Sequence, residues 1–280
     1  MKKKALFISI GLLFLTSLYF YNQKNNNQSA NTPQKITQQE SNHKSPPLKS
    51  DPSRYLAHAG GEIDGQRYTN SLEALNSNYA IGFRIFEIDI ITTSDGHQVC
   101  AHDWDAWKHF TGFEGEAPVT LQEFLKHKIK KNYTPLSLEM LHEWFKKHPD
   151  AKLLTDKTNN PKAVNNVFTS TPQLIMKLVS FPAIKTAKSL NIEFVLNENL
   201  LNSLSDDKVK KLQELDVKSI LISRKSIETK KNLLLQIKEA GIKTYASHVN
   251  FERGKDELYV FNNEMEFIYG FYADVWDFKN

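Results

Sequence analysis

The sequence predicts an α/β protein, a (β/α)8 TIM barrel preceded by a single N-terminal transmembrane helix and a disordered linker. Three observations carry that prediction. A lysine-flanked apolar run near Met1 gives way to a long polar stretch; short apolar runs then alternate with amphipathic ones over residues 55–280; and polar residues gather at the carboxyl ends of those runs.

The apolar run spans Ala5 to Tyr21. As a helix at 1.5 Å per residue it would reach about 26 Å, adequate for a bilayer core. Lys2, Lys3 and Lys4 favour a cytoplasmic N-terminus, which places everything after Tyr21 on the extracytoplasmic side of the membrane. A cleaved secretory signal is the alternative, but no small-x-small site follows and Tyr19-Phe20-Tyr21 suits an interfacial belt. No cysteine follows, which excludes a lipoprotein anchor. Residues 22–50 are Asn, Gln, Ser, Thr, Lys and Pro with almost nothing apolar, so they cannot bury enough surface to offset their ordering entropy. The expected organisation is therefore an anchor over 1–21, a linker over 22–50 and a folded barrel domain over 51–280.

The formal net charge is +4, but residues 1–50 carry seven lysines against Glu40, so the remainder is slightly acidic. Nothing in that balance supports nucleic-acid binding. The single cysteine, Cys100, rules out an internal disulfide and sits in an apolar run, where a small buried core residue is expected.

Candidate strands are 55–57, 84–91, 152–155, 174–179, 192–196, 219–222, 243–247 and 273–277. Amphipathic segments at 72–79, 137–147, 183–190, 206–215 and 230–240 lie between them. Gly82 and Gly241 stand where a helix stops just before a strand. A doubly wound open sheet is the alternative arrangement. In a barrel the strand ends converge on one face, which would bring together His58, Glu87, Asp89, Asp156 and His248. Glu87 and Asp89 are two apart, so both point to one side of their strand while Phe86, Ile88 and Ile90 pack on the other. Two carboxylates aimed into a lumen are costly to desolvate unless a cation or strong donors neutralise them.

These residues stand in an ordered set: His58-Ala59-Gly60-Gly61, then Thr69-Asn70-Ser71-Leu72-Glu73, Glu87-Ile88-Asp89, Thr93-Ser94-Asp95-Gly96 and His102-Asp103. The set resembles the glycerophosphodiester phosphodiesterase family, closely over residues 55–111 and more loosely through Pro135–Leu141. The resemblance implies His58 and His102 as the general acid/base pair and Glu87, Asp89 and Asp156 as ligands of a divalent metal ion. Ca²⁺ or Mg²⁺ suits oxygen donors of this kind. Such a cation would clamp a phosphate oxygen, and histidines of ordinary pKa suit both proton transfers near neutrality.

Three departures from the family pattern concern the handling of substrate charge. Ala59 replaces an arginine that grips phosphate. Asp156 replaces a glutamate, and Lys157 follows it directly, giving the lysine the wrong strand parity; Lys177 on the next strand is the candidate replacement. A short-armed aspartate also occurs in the related sphingomyelinase D phospholipases. Lys157, Lys177, His248 and Trp104 are candidate substrate contacts, and Trp104, Trp107, Phe110 and Phe113 are read as a loop after His102. Asp103 is either an orienter of a histidine or a loop cap, and Asn70 reads as a helix N-cap partnered by Glu73. The expected function is metal-dependent hydrolysis of a small or lipid-derived phosphodiester, a glycerophosphodiester or a glycerol-phosphate envelope component. The rivals are a phospholipase D-like enzyme on intact lipid and a membrane-tethered barrel that only binds.

Overall fold

The computed structural model describes residues 49–205 and 207–279. The anchor expected over 1–21 and nearly all of the expected linker lie outside the described residues. Among those described, no helix is long and apolar enough to cross a membrane.

Eight parallel strands close on themselves. They are β1 (Tyr55–Ala57), β2 (Ile85–Thr92), β4 (Lys152–Asp156), β5 (Leu174–Leu178), β6 (Glu193–Asn197), β7 (Ser219–Ser223), β8 (Lys243–Ser247) and β9 (Gly270–Ala273). They pair in sequence order, and β1 pairs with both β2 and β9, so no edge of the barrel is left open. A short strand, β3 (Gln98–Cys100), runs antiparallel beside the end of β2. The helices α1 (Leu72–Ile81), α4 (Leu138–Lys147), α6 (Phe181–Ser189), α8 (Lys208–Glu214) and α9 (Ile227–Glu239) occupy the five segments read as helical from the sequence. Gly82 caps α1 and Gly241 follows α9, both at positive φ.

The strand faces separate by parity. Leu56, Ile85, Leu154, Ile175, Val195, Leu221, Tyr245 and Tyr272 fill the lumen, one from each strand. Their neighbours, such as Phe86, Leu153, Met176 and Ile220, pack outward against the helices in the larger core. Cys100 is buried there as expected.

Three features depart from the sequence reading. The segment after His102 is not a loop but a helix, α2 (Trp104–Thr111), capped by Asp103 and ended by Gly112 in the left-handed region. With α3 (Leu121–Lys126) it builds a satellite core of Val99, Trp107, Phe124, Ile129 and Tyr133. The helices α5 (Pro161–Val167), α7 (Glu198–Ser203) and α10 (Glu257–Asn263) are too short to leave a periodic signal. The last barrel strand is Gly270–Ala273 rather than 273–277. Glycine ordinarily weakens a strand, but a Cβ at Gly270 would lie 2.0 Å from the Arg54 carbonyl oxygen. The seam where β9 meets β1 thus needs bare backbone.

Because that contact is backbone, it cannot relax by rotating a side chain. Gly270→Ala is expected to lower the unfolding free energy by about 3 kcal/mol, read as a reduced urea midpoint at unchanged slope.

Candidate active site

Each site residue is placed by the strand that ends beneath it. His58 lies two residues beyond lumen-facing Leu56, Glu87 and Asp89 follow Ile85, Asp156 follows Leu154, Lys177 follows Ile175 and Asp274 follows Tyr272. The period of two therefore stacks a polar layer directly on the apolar lumen. His58, Tyr68, Asp89, His102, Asp156, Lys157, Lys177 and His248 line a cavity of about 300 Å³ at this end. A larger void of about 530 Å³ opens at the opposite end, lined by Leu56, Leu154, Ile175 and Val195 below a charged rim. It gathers neither the histidines nor the carboxylate cluster, so chemistry rather than size locates the site.

The carboxylates crowd like charges together. Strand register pairs Asp89 with Asp156, side by side on β2 and β4. One oxygen each from Glu87, Asp89 and Asp156 lies within 4.8 Å of the others, and Glu87 and Asp89 are almost wholly buried. Burial, reinforced by the charges of Asp89 and Asp156, pushes the Glu87 carboxyl up to about 8. Burial and Asp156 likewise raise Asp89. For Asp156 burial acts in the same direction, but Lys177 and the Lys157 backbone outweigh it and the pKa falls.

Local donors hold the cluster. The Ala59 N–H donates to Glu87 Oε2 at 2.8 Å, from a turn in which Ala59, Gly60 and Gly61 all have positive φ. Asn70 is not the N-cap of α1; Ser71 is, accepting from the Ala74 N–H. Asn70 instead donates from Nδ2 to Asp89 Oδ2 at 3.1 Å and accepts the Asp89 N–H at 3.0 Å. Glu73, its expected partner, accepts from Thr134. Asp156 takes Lys177 Nζ and the Lys157 N–H, each at 2.5 Å. Lys157 reaches the cavity from a left-handed turn at φ 65° rather than from the strand face.

His58 and His102 are each tied through Nδ1 to a carboxylate. His102 bonds Asp103 Oδ2 at 2.5 Å, while Asp103 Oδ1 accepts the Ala106 N–H; Asp103 is orienter and helix cap at once. His58 bonds Asp274 Oδ1 at 3.0 Å, and its ring meets Tyr68 edge-on. Burial works against a charge on His58, but Asp274, Glu87 and Asp89 outweigh it and raise its pKa. Asp274 is itself buried and held by Asn250 Nδ2, by Arg67 at 3.4 Å and, through its backbone N–H, by Glu257 Oε1. Burial would raise its pKa, yet the His58 contact holds it below the usual carboxylate range.

Asp274 is the residue at this site that sequence reasoning missed. A strand placed at 273–277 gives it the wrong frame, whereas the Gly270–Ala273 strand aligns it with Tyr272 and the lumen. His248, in a left-handed conformation, lines the cavity, and burial with the nearby His58 and Lys177 charges lowers its pKa. Trp104 packs on Trp107 and Phe124; from the same helix, Ala106 and Phe110 line the cavity.

The sequence profile of the glycerophosphoryl diester phosphodiesterase family matches residues 59–254. The chain belongs to that family. It is accordingly a phosphoric diester hydrolase of the glycerophosphodiester phosphodiesterase type. No curated protein matches it significantly by sequence. Among solved structures, a phosphodiesterase from Oleispira antarctica in complex with the product sn-glycerol-3-phosphate is similar at 21% identity and TM-score 0.61, over 81% of this chain and 94% of that one. A glycerophosphoryl diester phosphodiesterase from Parabacteroides distasonis is similar at 15% and 0.64, over 80% and 84%. A glycerophosphodiester phosphodiesterase from Thermotoga maritima is similar at 16% and 0.59, over 79% and 93%. At these identities the likeness is one of fold.

The raised Glu87 carboxyl has a consequence for stability. Its folded pKa of about 8 lies above the ordinary glutamate value of 4.5, so without divalent cations it contributes stability at low pH that is lost as pH rises through about 8. In chelator, Glu87→Gln is expected to flatten that part of the stability–pH curve and to raise the urea midpoint at alkaline pH.

Proposed function

We propose that this phosphodiesterase cleaves a glycerophosphodiester, or a glycerol-phosphate component of the cell envelope, using His58 and His102 as the acid/base pair. One observation carries the reading: both histidines, each fixed through Nδ1 by its own carboxylate, border the same cavity as Asp89 and Asp156 of the three-carboxylate cluster. One histidine takes the proton of the attacking hydroxyl, from water or a neighbouring glycerol OH. The other returns a proton to the leaving alkoxide.

The donor set fits a divalent metal ion. Three acidic side chains with mutually close oxygens, two of them buried, suit a hard cation such as Ca²⁺ or Mg²⁺ and gain most from its charge. Glu87, Asp89 and Asp156 would hold it. When bound it supplies electrostatic stabilisation of the phosphoryl oxygens. Asn70 keeps Asp89 in place and the Ala59 N–H keeps Glu87 in place, so the site is pre-formed.

The arginine missing at Ala59 removes one cationic contact with phosphate. Lys177 and Lys157, both on the cavity wall, are proposed to supply it, with His248 as a further neutral contact. Extracytoplasmic, membrane-tethered placement belongs to the same proposal and rests on Lys2–Lys4 and the apolar run that follows them.

With Ca²⁺ or Mg²⁺ the full chain should release glycerol 3-phosphate from glycerophosphocholine, and chelation should abolish this. His58→Ala and His102→Ala should each lower kcat by roughly 100-fold to 10,000-fold; full activity in both would sink the assignment. Asp274→Asn keeps the shape but weakens the hold on His58. It should lower kcat by roughly 10-fold to 100-fold with little change in KM, and displace the pH profile towards lower pH.

A further inference from the structure

Isolated apolar side chains on a protein surface are ordinary; their segregation to one end is not. Among the described residues seven large apolar side chains are strongly exposed, and five of them follow barrel strands at the carboxyl end. Val179 directly follows β5 and Phe181 opens α6; Phe251 lies between β8 and α10; Leu258 is the second residue of α10; Val275 follows β9. All five are between 41% and 58% exposed. The other two, Ile81 and Met140, sit on the flanking helices α1 and α4. Phe251 also lines the cavity, so the apolar rim reaches its mouth at that side chain.

The same end carries exposed cations: Lys157 after β4, Lys162 in α5, Lys225 after β7 and Arg253 after β8. None of these makes an ion pair among the described residues. Several acids nearby are already engaged: Asp103 and Asp256 cap helices, Glu198 pairs with Lys230, and Glu252 pairs with Arg224 and Lys255. Apolar side chains interspersed with unpaired cations form the surface that an anionic bilayer binds, through shallow insertion and headgroup attraction. A protein lying across this rim would seal the cavity. A bilayer would instead present phosphodiesters to it.

We propose that the cavity face docks on an anionic phospholipid surface through this rim, so that the site works on phosphodiesters held in or at the membrane. This deepens the functional reading above and rests on it for the identity of the substrate, but the docking surface itself does not.

The test uses the full chain reconstituted in vesicles of equal parts phosphatidylcholine and phosphatidylglycerol. Cys100 is buried, so an environment-sensitive fluorophore can be directed to Phe181→Cys on the rim or to Lys218→Cys at the opposite end. A blue shift at position 181 and none at 218 is expected. The absence of a shift at 181, or equal shifts at both, overturns the proposal. In parallel, the Val179→Ser, Phe181→Ser, Leu258→Ser triple variant should hydrolyse lysophosphatidylglycerol in vesicles roughly 10-fold more slowly than the parent, while soluble glycerophosphocholine turnover stays within about 2-fold. Equal vesicle activity in parent and variant overturns the docking. A rim-specific shift in a chain that cleaves no phosphodiester leaves docking standing and removes the catalytic reading instead.

Discussion

A closed parallel barrel forces every strand to send alternate side chains into one shared lumen. Here that period governs the molecule. Eight apolar side chains, one per strand, plug the middle of the lumen, and the next inward position on the strands belongs to the site. Moving a strand by one residue would exchange its core and site residues together. Closure at the Gly270 seam thus fixes both the packing of the barrel and the positions of its chemistry.

The period also brings like charges together. Register sets Asp89 beside Asp156, with Glu87 below them, in a layer that little water reaches. The surrounding donors offset part of that repulsion: Asn70 for Asp89, the Ala59 backbone for Glu87, Lys177 for Asp156. The result is uneven, with Glu87 and Asp89 pushed up and Asp156 pulled down. Such a cluster is poor design for stability alone and reasonable for a site built around an external positive charge.

Much of this was legible in the sequence because it is encoded at short range. The separation of Glu87 and Asp89 reveals their common face, and seven of the eight barrel strands stand where their apolar runs are. What escaped depends on distant parts of the chain. Asn70 has the local look of a helix cap, yet its side chain serves a strand rather than a helix. The aromatics from Trp104 to Phe110 repeat every three residues, a helical spacing obscured by their position after His102. Asp274 was hidden by Gly270, whose meaning comes from the carbonyl of Arg54 far away in sequence.

The bond between His58 and Asp274 spans 216 positions of the chain. His58 directly follows the first barrel strand in the chain, and the carboxylate that holds it directly follows the eighth. A chain whose last barrel strand has not yet docked carries both histidines and all three acids but lacks the carboxylate that holds one of them. The cavity face is therefore complete only once the eighth barrel strand has docked against the first.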